Sequence, residues 1–211
     1  MIRAGTDIGG TFTDLVAFNT RSGGFHIEKV PTVKANPAIG VMNALSQLKQ
    51  NRDVEGQEIQ AFLHGTTIGT NALLEMKGAE VGLLSTKGFR AVPQVQAGSQ
   101  PRPFLLFYHR PDGLVRPRFV KEISERVDRA GTELQALNEE ETRVAIQDLK
   151  QNGVTSIAVS FLFAYANPAH ERRAKELIQE EYPDCVISLS SEIMPRIREW
   201  PRMSTTCLLY T

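Results

Sequence analysis

The sequence predicts an α/β protein: a mixed sheet that opens with an antiparallel β-meander and carries flanking helices. Three observations carry this. Strand-like segments at Ile2–Asp7, Thr13–Phe18 and Phe25–Val30 are separated only by Gly9-Gly10 and by Arg21-Ser22-Gly23-Gly24, which leaves no room for a crossover helix. Two Asn-Pro pairs, Asn36-Pro37 and Asn167-Pro168, each place a capping residue before a proline at the first helical position. Between them lie short apolar runs of strand length, of which Val154–Phe161 is the most continuous.

The elements follow in order. After the meander, Ile39, Met42, Leu45 and Leu48 repeat at helical spacing through about Gln50. Ile59–His64 reads as a buried strand, Thr66–Met76 as a helix and Glu80–Ser85 as a strand, a β-α-β pattern that favours parallel pairing. Residues Ala91–Arg118 are proline-rich and hold Phe104, Phe107 and Tyr108 without a period, which suits either a lid or contact surface, or a local plug. Phe119–Val127 reads as strand-like. Asn138 with Glu141 forms a capping box before Val144, Ile146 and Leu149. A helix then runs from Asn167-Pro168 to about Tyr182, Val186–Leu189 is a short strand, and Met194-Pro195 breaks the chain. No linker or low-complexity tract forces a division. The expectation is one lobe over 1–211, with a subregion at about 91–190.

Composition narrows the function classes. The chain has 211 residues with 24 Lys+Arg against 24 Asp+Glu, so it lacks the cationic excess of a general nucleic-acid binder. Its 41% hydrophobic and 23% charged residues suit a folded globular protein. Cys185 and Cys207 form neither a disulfide framework nor a zinc knuckle, which suggests a reducing compartment. No apolar window reaches the roughly 18 residues of a membrane span. Asp7 and the glycine pair interrupt the N-terminus before a signal-peptide core, so the expected setting is cytoplasmic, with neither nucleic acid nor membrane as partner.

Three clusters suggest chemistry. In Asp7-Ile8-Gly9-Gly10-Thr11-Phe12-Thr13-Asp14, the glycines at a strand-to-strand turn would let backbone N–H groups approach an anion. Thr11 and Thr13 would add hydroxyls, while Asp7 and Asp14 suit a hydrated Mg²⁺. The alternative is a plain hairpin turn. A Walker A loop is excluded because no Gly-Lys-Ser/Thr ending follows, and a dinucleotide fingerprint because no helix does. In His64-Gly65-Thr66-Thr67-Ile68-Gly69-Thr70-Asn71, a strand end meets a helix start, offering N–H groups, hydroxyls and an imidazole donor. Here the alternative is a capped helix with a structural histidine. A third segment, Ser190–Thr206, holds Arg196, Arg198 and Arg202 near Ser204-Thr205-Thr206, either as an anion site or as a solvated turn anchored by Trp200. His26, His109 and His170 stand alone, His170 among residues that read as surface.

These clusters, together with Leu83–Arg90, Glu125-Arg126-Val127-Asp128 and Asn167-Pro168-Ala169-His170-Glu171, resemble in order and spacing the N-terminal region of the hydantoinase A/oxoprolinase family. That family includes ATP-dependent N-methylhydantoin and 5-oxoproline hydrolases and subunits of acetone and acetophenone carboxylases. The resemblance implies an actin/hexokinase/Hsp70-like (ribonuclease H-like) lobe that uses ATP and Mg²⁺. It implies phosphate contacts from Gly9, Gly10, Thr11 and Thr13, with Asp14 also at the cofactor and Asp7 catalytic and holding Mg²⁺ through water. It also implies that His64, Thr66, Thr67 and Asn71 face substrate or phosphate, His64 as a catalytic group. The implied chemistry is phosphorylation of a cyclic amide or ketone carbonyl oxygen. Family members continue into a second lobe and require a second, B-type subunit. This chain, ending Cys207-Leu208-Leu209-Tyr210-Thr211, is therefore expected to be a truncated unit, inactive alone. The alternative is a non-catalytic interaction or assembly module that keeps the fold.

Overall fold

A computed structural model describes residues 1–75, 78–96 and 113–208. The aromatic cluster Phe104, Phe107, Tyr108, and with it His109 and the last three residues, lies outside the described residues. The chain forms two compact units, Met1–Lys77 and Gly78–Thr211.

The first unit holds β1 (Ile2–Ile8), β2 (Phe12–Asn19), β3 (Phe25–Pro31), α1 (Pro37–Arg52), β4 (Ile59–Thr66) and α2 (Ile68–Leu74). Its sheet has the order β3-β2-β1-β4, antiparallel across the meander and parallel between β1 and β4. Period-2 alternation decides the faces. Ile2, Ala4, Thr6 and Ile8 lie beside Ala17, Leu15 and Thr13 in register and are buried. α1 packs on this side of the meander through Gly40, Ala44 and Leu48. Asn36 caps α1 as the sequence predicts, its side-chain oxygen accepting from Ala38 N–H at 3.2 Å. The opposite face carries Val16, Phe18, Phe25, Ile27 and Leu63, each between 42% and 65% exposed.

Gly40 is the tightest contact beneath the meander. A Cβ there would stand 2.8 Å from Thr13 Oγ1, and Thr13 is fully buried. Gly40→Ala is expected to cost about 1–3 kcal/mol through overpacking, measured as a lower urea midpoint.

The second unit holds β5 (Val81–Thr86), α3 (Val92–Val95), β6 (Val120–Ile123), β7 (Arg126–Val127), β8 (Glu133–Gln135), α4 (Glu139–Gln151), β9 (Ser156–Ser160), α5 (Ala169–Glu181), β10 (Val186–Leu189), α6 (Ser190–Ile193) and α7 (Glu199–Cys207). Its main sheet is all-parallel, in the order β10-β9-β5-β6. Every residue of β5 and β9 is buried, as expected of parallel strands covered on both faces. Helix α4 lies so close that a Cβ on Gly82 would approach Leu149 Cδ1 to 2.7 Å.

The fold is thus mixed α/β with flanking helices, and the structure corrects five details. The strand at 59–64, expected to be buried, is half-buried only at Ile59 and Ala61 and exposed elsewhere, because β4 is an edge strand of its sheet. The β-α-β pattern at 59–85 is not one crossover, because β4 pairs with β1 in one sheet and β5 with β6 and β9 in another. Phe119–Val127 breaks into a short 3-10 turn, β6 and the first strand of a hairpin, with Ser124 and Glu125 between them. The capping box at Asn138 is half formed: its side chain accepts from Glu141 N–H, while the Glu141 carboxylate turns to Ser124 N–H. His170, expected among surface residues, is buried.

Candidate functional site

The predicted phosphate turn is the connection between β1 and β2. Gly9 N–H donates to Phe12 C=O at 2.9 Å and closes it. Thr32 braces it from β3's end: its N–H donates to Thr11 C=O and its hydroxyl to Gly9 C=O, both at 2.9 Å. Among the described residues the Gly10 and Thr11 N–H groups have no acceptor, so the turn presents two free donors at its tip. The glycines are not explained by a left-handed backbone, which this unit has at Gly23 and not at Gly9 or Gly10. Close approach explains Gly9, where a Cβ would sit 3.0 Å from Phe12 O.

Strand β4, parallel to β1, brings the second cluster beside the turn. Thr67 N–H and the Thr66 hydroxyl both donate to Ile8 C=O, at 3.3 and 3.4 Å. The Asn71 amide donates to Thr67 Oγ1 at 3.2 Å and lies 3.5 Å from where a Cβ on Gly10 would be. Gly9, Gly10, Thr11, Thr66, Thr67 and Asn71 therefore gather at the carboxyl ends of two parallel strands, a common ligand position in open α/β sheets.

The remaining predicted residues separate. Asp7 lies opposite Asp14 and beside Gly65 on the outward face. Lys29 pairs with Asp14 at 3.0 Å and stands over the Phe12 ring, whereas among the described residues nothing pairs with Asp7. The Asp7 carboxylate is thus the one open to a hydrated cation. Thr13 lies beneath the turn, its hydroxyl 3.0 Å from the Thr32 hydroxyl, so it supports the turn from the buried side. His64 sits beside Thr6 in register, 3.3 Å from the Thr6 hydroxyl, and so occupies the face opposite Asp7. Strand alternation prevents the two from meeting on one surface.

A family profile described as the Hydantoinase/oxoprolinase N-terminal region matches residues 3–182. The chain belongs to the hydantoinase/oxoprolinase family. Among its relatives is the uncharacterized protein MJ0964 of Methanocaldococcus jannaschii, 37% identical over 209 residues, which cover 98% of this chain and 30% of that protein. The crystal structure of the ATP-dependent caprolactamase from Pseudomonas jessenii aligns with a TM-score of 0.83 at 30% identity, over 98% of this chain and 30% of that one. A nucleotide-free acetone carboxylase structure, described as part of an ATP-dependent carboxylation mechanism, shares the fold with a TM-score of 0.87 at 24% identity, over 98% and 31%. This chain therefore spans from 18% to 30% of the length of such relatives.

The second unit gathers Glu171 of α5 and residues of the Ser190–Thr206 segment into a buried polar network. Glu171, fully buried, accepts from Phe161 N–H and the Ser190 hydroxyl through one oxygen and from Ser191 N–H through the other, at 2.6–3.0 Å. Burial pushes its carboxyl above the usual range against the pull of these bonds. Arg202, also fully buried, donates to Ser190 Oγ, Arg196 C=O and Phe161 C=O and pairs with Glu199. It is neither an anion site nor part of a solvated turn; Arg196 and Arg198 are exposed. The sequence does hold a signal: Glu171, Ala174 and Ile178 fall on one helical stripe, with His170, Ala174 and Leu177 beside it, so both polar residues lie on the buried face.

Among the described residues no helix is long and apolar enough to cross a membrane, and no group of three potential ligands is placed to hold a metal ion.

Proposed function

We propose that residues 1–75 form the phosphate-binding part of an actin/hexokinase/Hsp70-like ATPase lobe, serving an enzyme that activates a cyclic amide or ketone carbonyl by phosphorylation. The observation that carries this is the braced turn Gly9–Thr11, with two free N–H donors, facing Thr67 and Asn71 across the ends of β1 and β4. Gly10 and Thr11 N–H groups and the Thr11 and Thr67 hydroxyls would take phosphate oxygens, Asn71 would position them, and Thr66 would hold β4 against β1 through its hydroxyl on Ile8 C=O. Asp7 would hold Mg²⁺ through water; its carboxylate, which unlike that of Asp14 has no ion pair among the described residues, suits a hydrated divalent cation. Gly9, Thr13 and Asp14 would keep the turn's shape, Asp14 through its pair with Lys29. His64, on the other face, would meet substrate or phosphate only from the α1 side of the sheet. Bound Mg-ATP supplies the transferred phosphoryl group. The chain's own groups position it and stabilise its charge.

The chain would be inactive alone. Its coverage of 18% to 30% of its relatives, and the outward face bearing Val16, Phe18, Phe25, Ile27 and Leu63, support completion by polypeptide equivalent to the rest of those relatives, with a second subunit beside it. The same face favours the second reading, an assembly module without turnover. Calorimetry with Mg-ATP separates the two when this region is joined to the polypeptide that follows it in MJ0964. Binding that Asp7→Ala weakens at least tenfold, about 1.4 kcal/mol, supports the ATPase lobe. Binding unchanged by Asp7→Ala, or no binding, rejects it.

A further inference from the structure

The polar cluster around His170 has a proton count that its geometry fixes. His170 Nδ1 lies 2.7 Å from Glu125 Oε2, and Nε2 lies 2.8 Å from Glu133 Oε2. Glu125 is fully buried, and its other oxygen accepts the Thr86 hydroxyl, which is itself committed as the acceptor of Leu162 N–H at 2.8 Å. Ionised carboxylates only accept hydrogen bonds, so an imidazole placed between two of them must donate from both nitrogens. With both carboxylates ionised, both bonds are made together only by the imidazolium; a neutral ring would need the extra proton on one of the carboxyls, which leaves the count over the three groups the same. Three groups, Glu125, His170 and Glu133, share one proton more than a neutral ring would bring.

These bonds connect separate elements. Glu125 lies between β6 and β7, Glu133 is on β8 and His170 is in the first turn of α5. The hairpin has one further tie near the start of α5, from the Asn167 amide to Gly131 C=O at 2.9 Å. From the hairpin's first strand Arg126 donates to Lys87 C=O at 3.3 Å and stands over the Phe89 ring, so the hairpin also touches the loop that leaves β5.

We propose that the His170 imidazolium is a proton-operated latch that holds the β7–β8 hairpin on α5, and that loss of one ring proton frees Glu133 and shifts the hairpin together with the loop after β5. Glu133 is the partner that lets go. Its side chain is 53% exposed and rehydrates readily, whereas Glu125 is sealed from water and held by Thr86. The other nearby charges are engaged elsewhere. Glu171 faces Ser190 and Ser191, Asp128 accepts from Ala130 and Thr132 N–H, Arg126 faces Lys87 and Phe89, and Arg173 pairs with Glu139 and Glu176. Burial works against the charged ring, but the two carboxylates outweigh it and hold the His170 pKa above its ordinary value. The latch is thus closed below the ordinary imidazole value of about 6.5 and opens as the pH rises through the higher folded value. It does not depend on nucleotide binding.

The test is an NMR titration of the 211-residue chain from about pH 6 to 9, following the His170 ring and the backbone amides. The expected result is a ring midpoint above about 6.5, with the amides of Arg126–Gln135 and Lys87–Phe89 moving at that same midpoint. In Glu133→Gln, a surface change, the amide can donate to a neutral ring. The midpoint should fall by about one pH unit and the hairpin amides should lose their pH dependence. Hairpin amides that ignore the His170 titration, or a midpoint unchanged in Glu133→Gln, overturn the latch. Amide protection factors in the hairpin, exchange rates corrected for the intrinsic rate at each pH, give an independent reading: they should fall above the midpoint in the unmodified chain, and equal protection on both sides of it counts against the latch.

Discussion

Arg202→Ala is expected to destabilise the second unit by about 3–5 kcal/mol, seen as a lower urea midpoint of its transition. The guanidinium is fully buried and fills three protein acceptors besides Glu199. Truncation leaves Phe161 C=O and Arg196 C=O without this donor, leaves a largely buried Glu199 carboxylate unpaired, and withdraws the bond that orients Ser190 toward Glu171. The Phe161 carbonyl loses its donor without compensation from water, and the Glu199 carboxylate and Arg196 carbonyl with only partial compensation. Arg202→Lys keeps the charge and loses the fork, so most of the loss should remain. A change below about 1 kcal/mol, the range of exposed ion pairs, would contradict the network.

Gly9→Val is expected to weaken phosphate binding at least tenfold, about 1.4 kcal/mol, while leaving the second unit unchanged. The Cβ would meet the Phe12 carbonyl oxygen at 3.0 Å, and this is backbone that cannot step aside without opening the Gly9-to-Phe12 bond that closes the turn. A branched side chain adds to that clash and moves the Gly10 and Thr11 N–H groups. Gly10→Ala is the contrast: its Cβ meets the end of the Asn71 side chain at 3.5 Å, an ordinary contact, and a smaller effect follows.

Local signals in the sequence carried the meander, α1 with its Asn36 cap, and the buried parallel strands, because each depends on neighbouring residues: turn glycines, a cap, a continuous apolar run. The separation of β4 from β5 into different sheets was not legible, since the pattern at 59–85 fits a crossover equally well and only long-range pairing decides. At the site, the two motifs are legible as a strand-to-strand turn and a strand-to-helix start, whereas the proximity of Gly9–Thr11 to Thr67 and Asn71 depends on the β1–β4 pairing. The opposite placement of Asp7 and His64 depends on the β1–β4 register, which a single sequence does not encode visibly. His170 and Arg202 look like surface residues by type. Their burial depends on carboxylates and carbonyls contributed by segments far away in the chain.

The central claim is that the Gly9–Thr11 turn binds phosphate. Amide chemical-shift mapping of this chain with millimolar Mg-ATP tests it most directly, because weak binding still registers residue by residue. Shifts confined to Gly9–Thr11, Thr67 and Asn71, and lost in Gly9→Val, are the predicted result. Shifts that leave this turn untouched, or that persist unchanged in Gly9→Val, would contradict it.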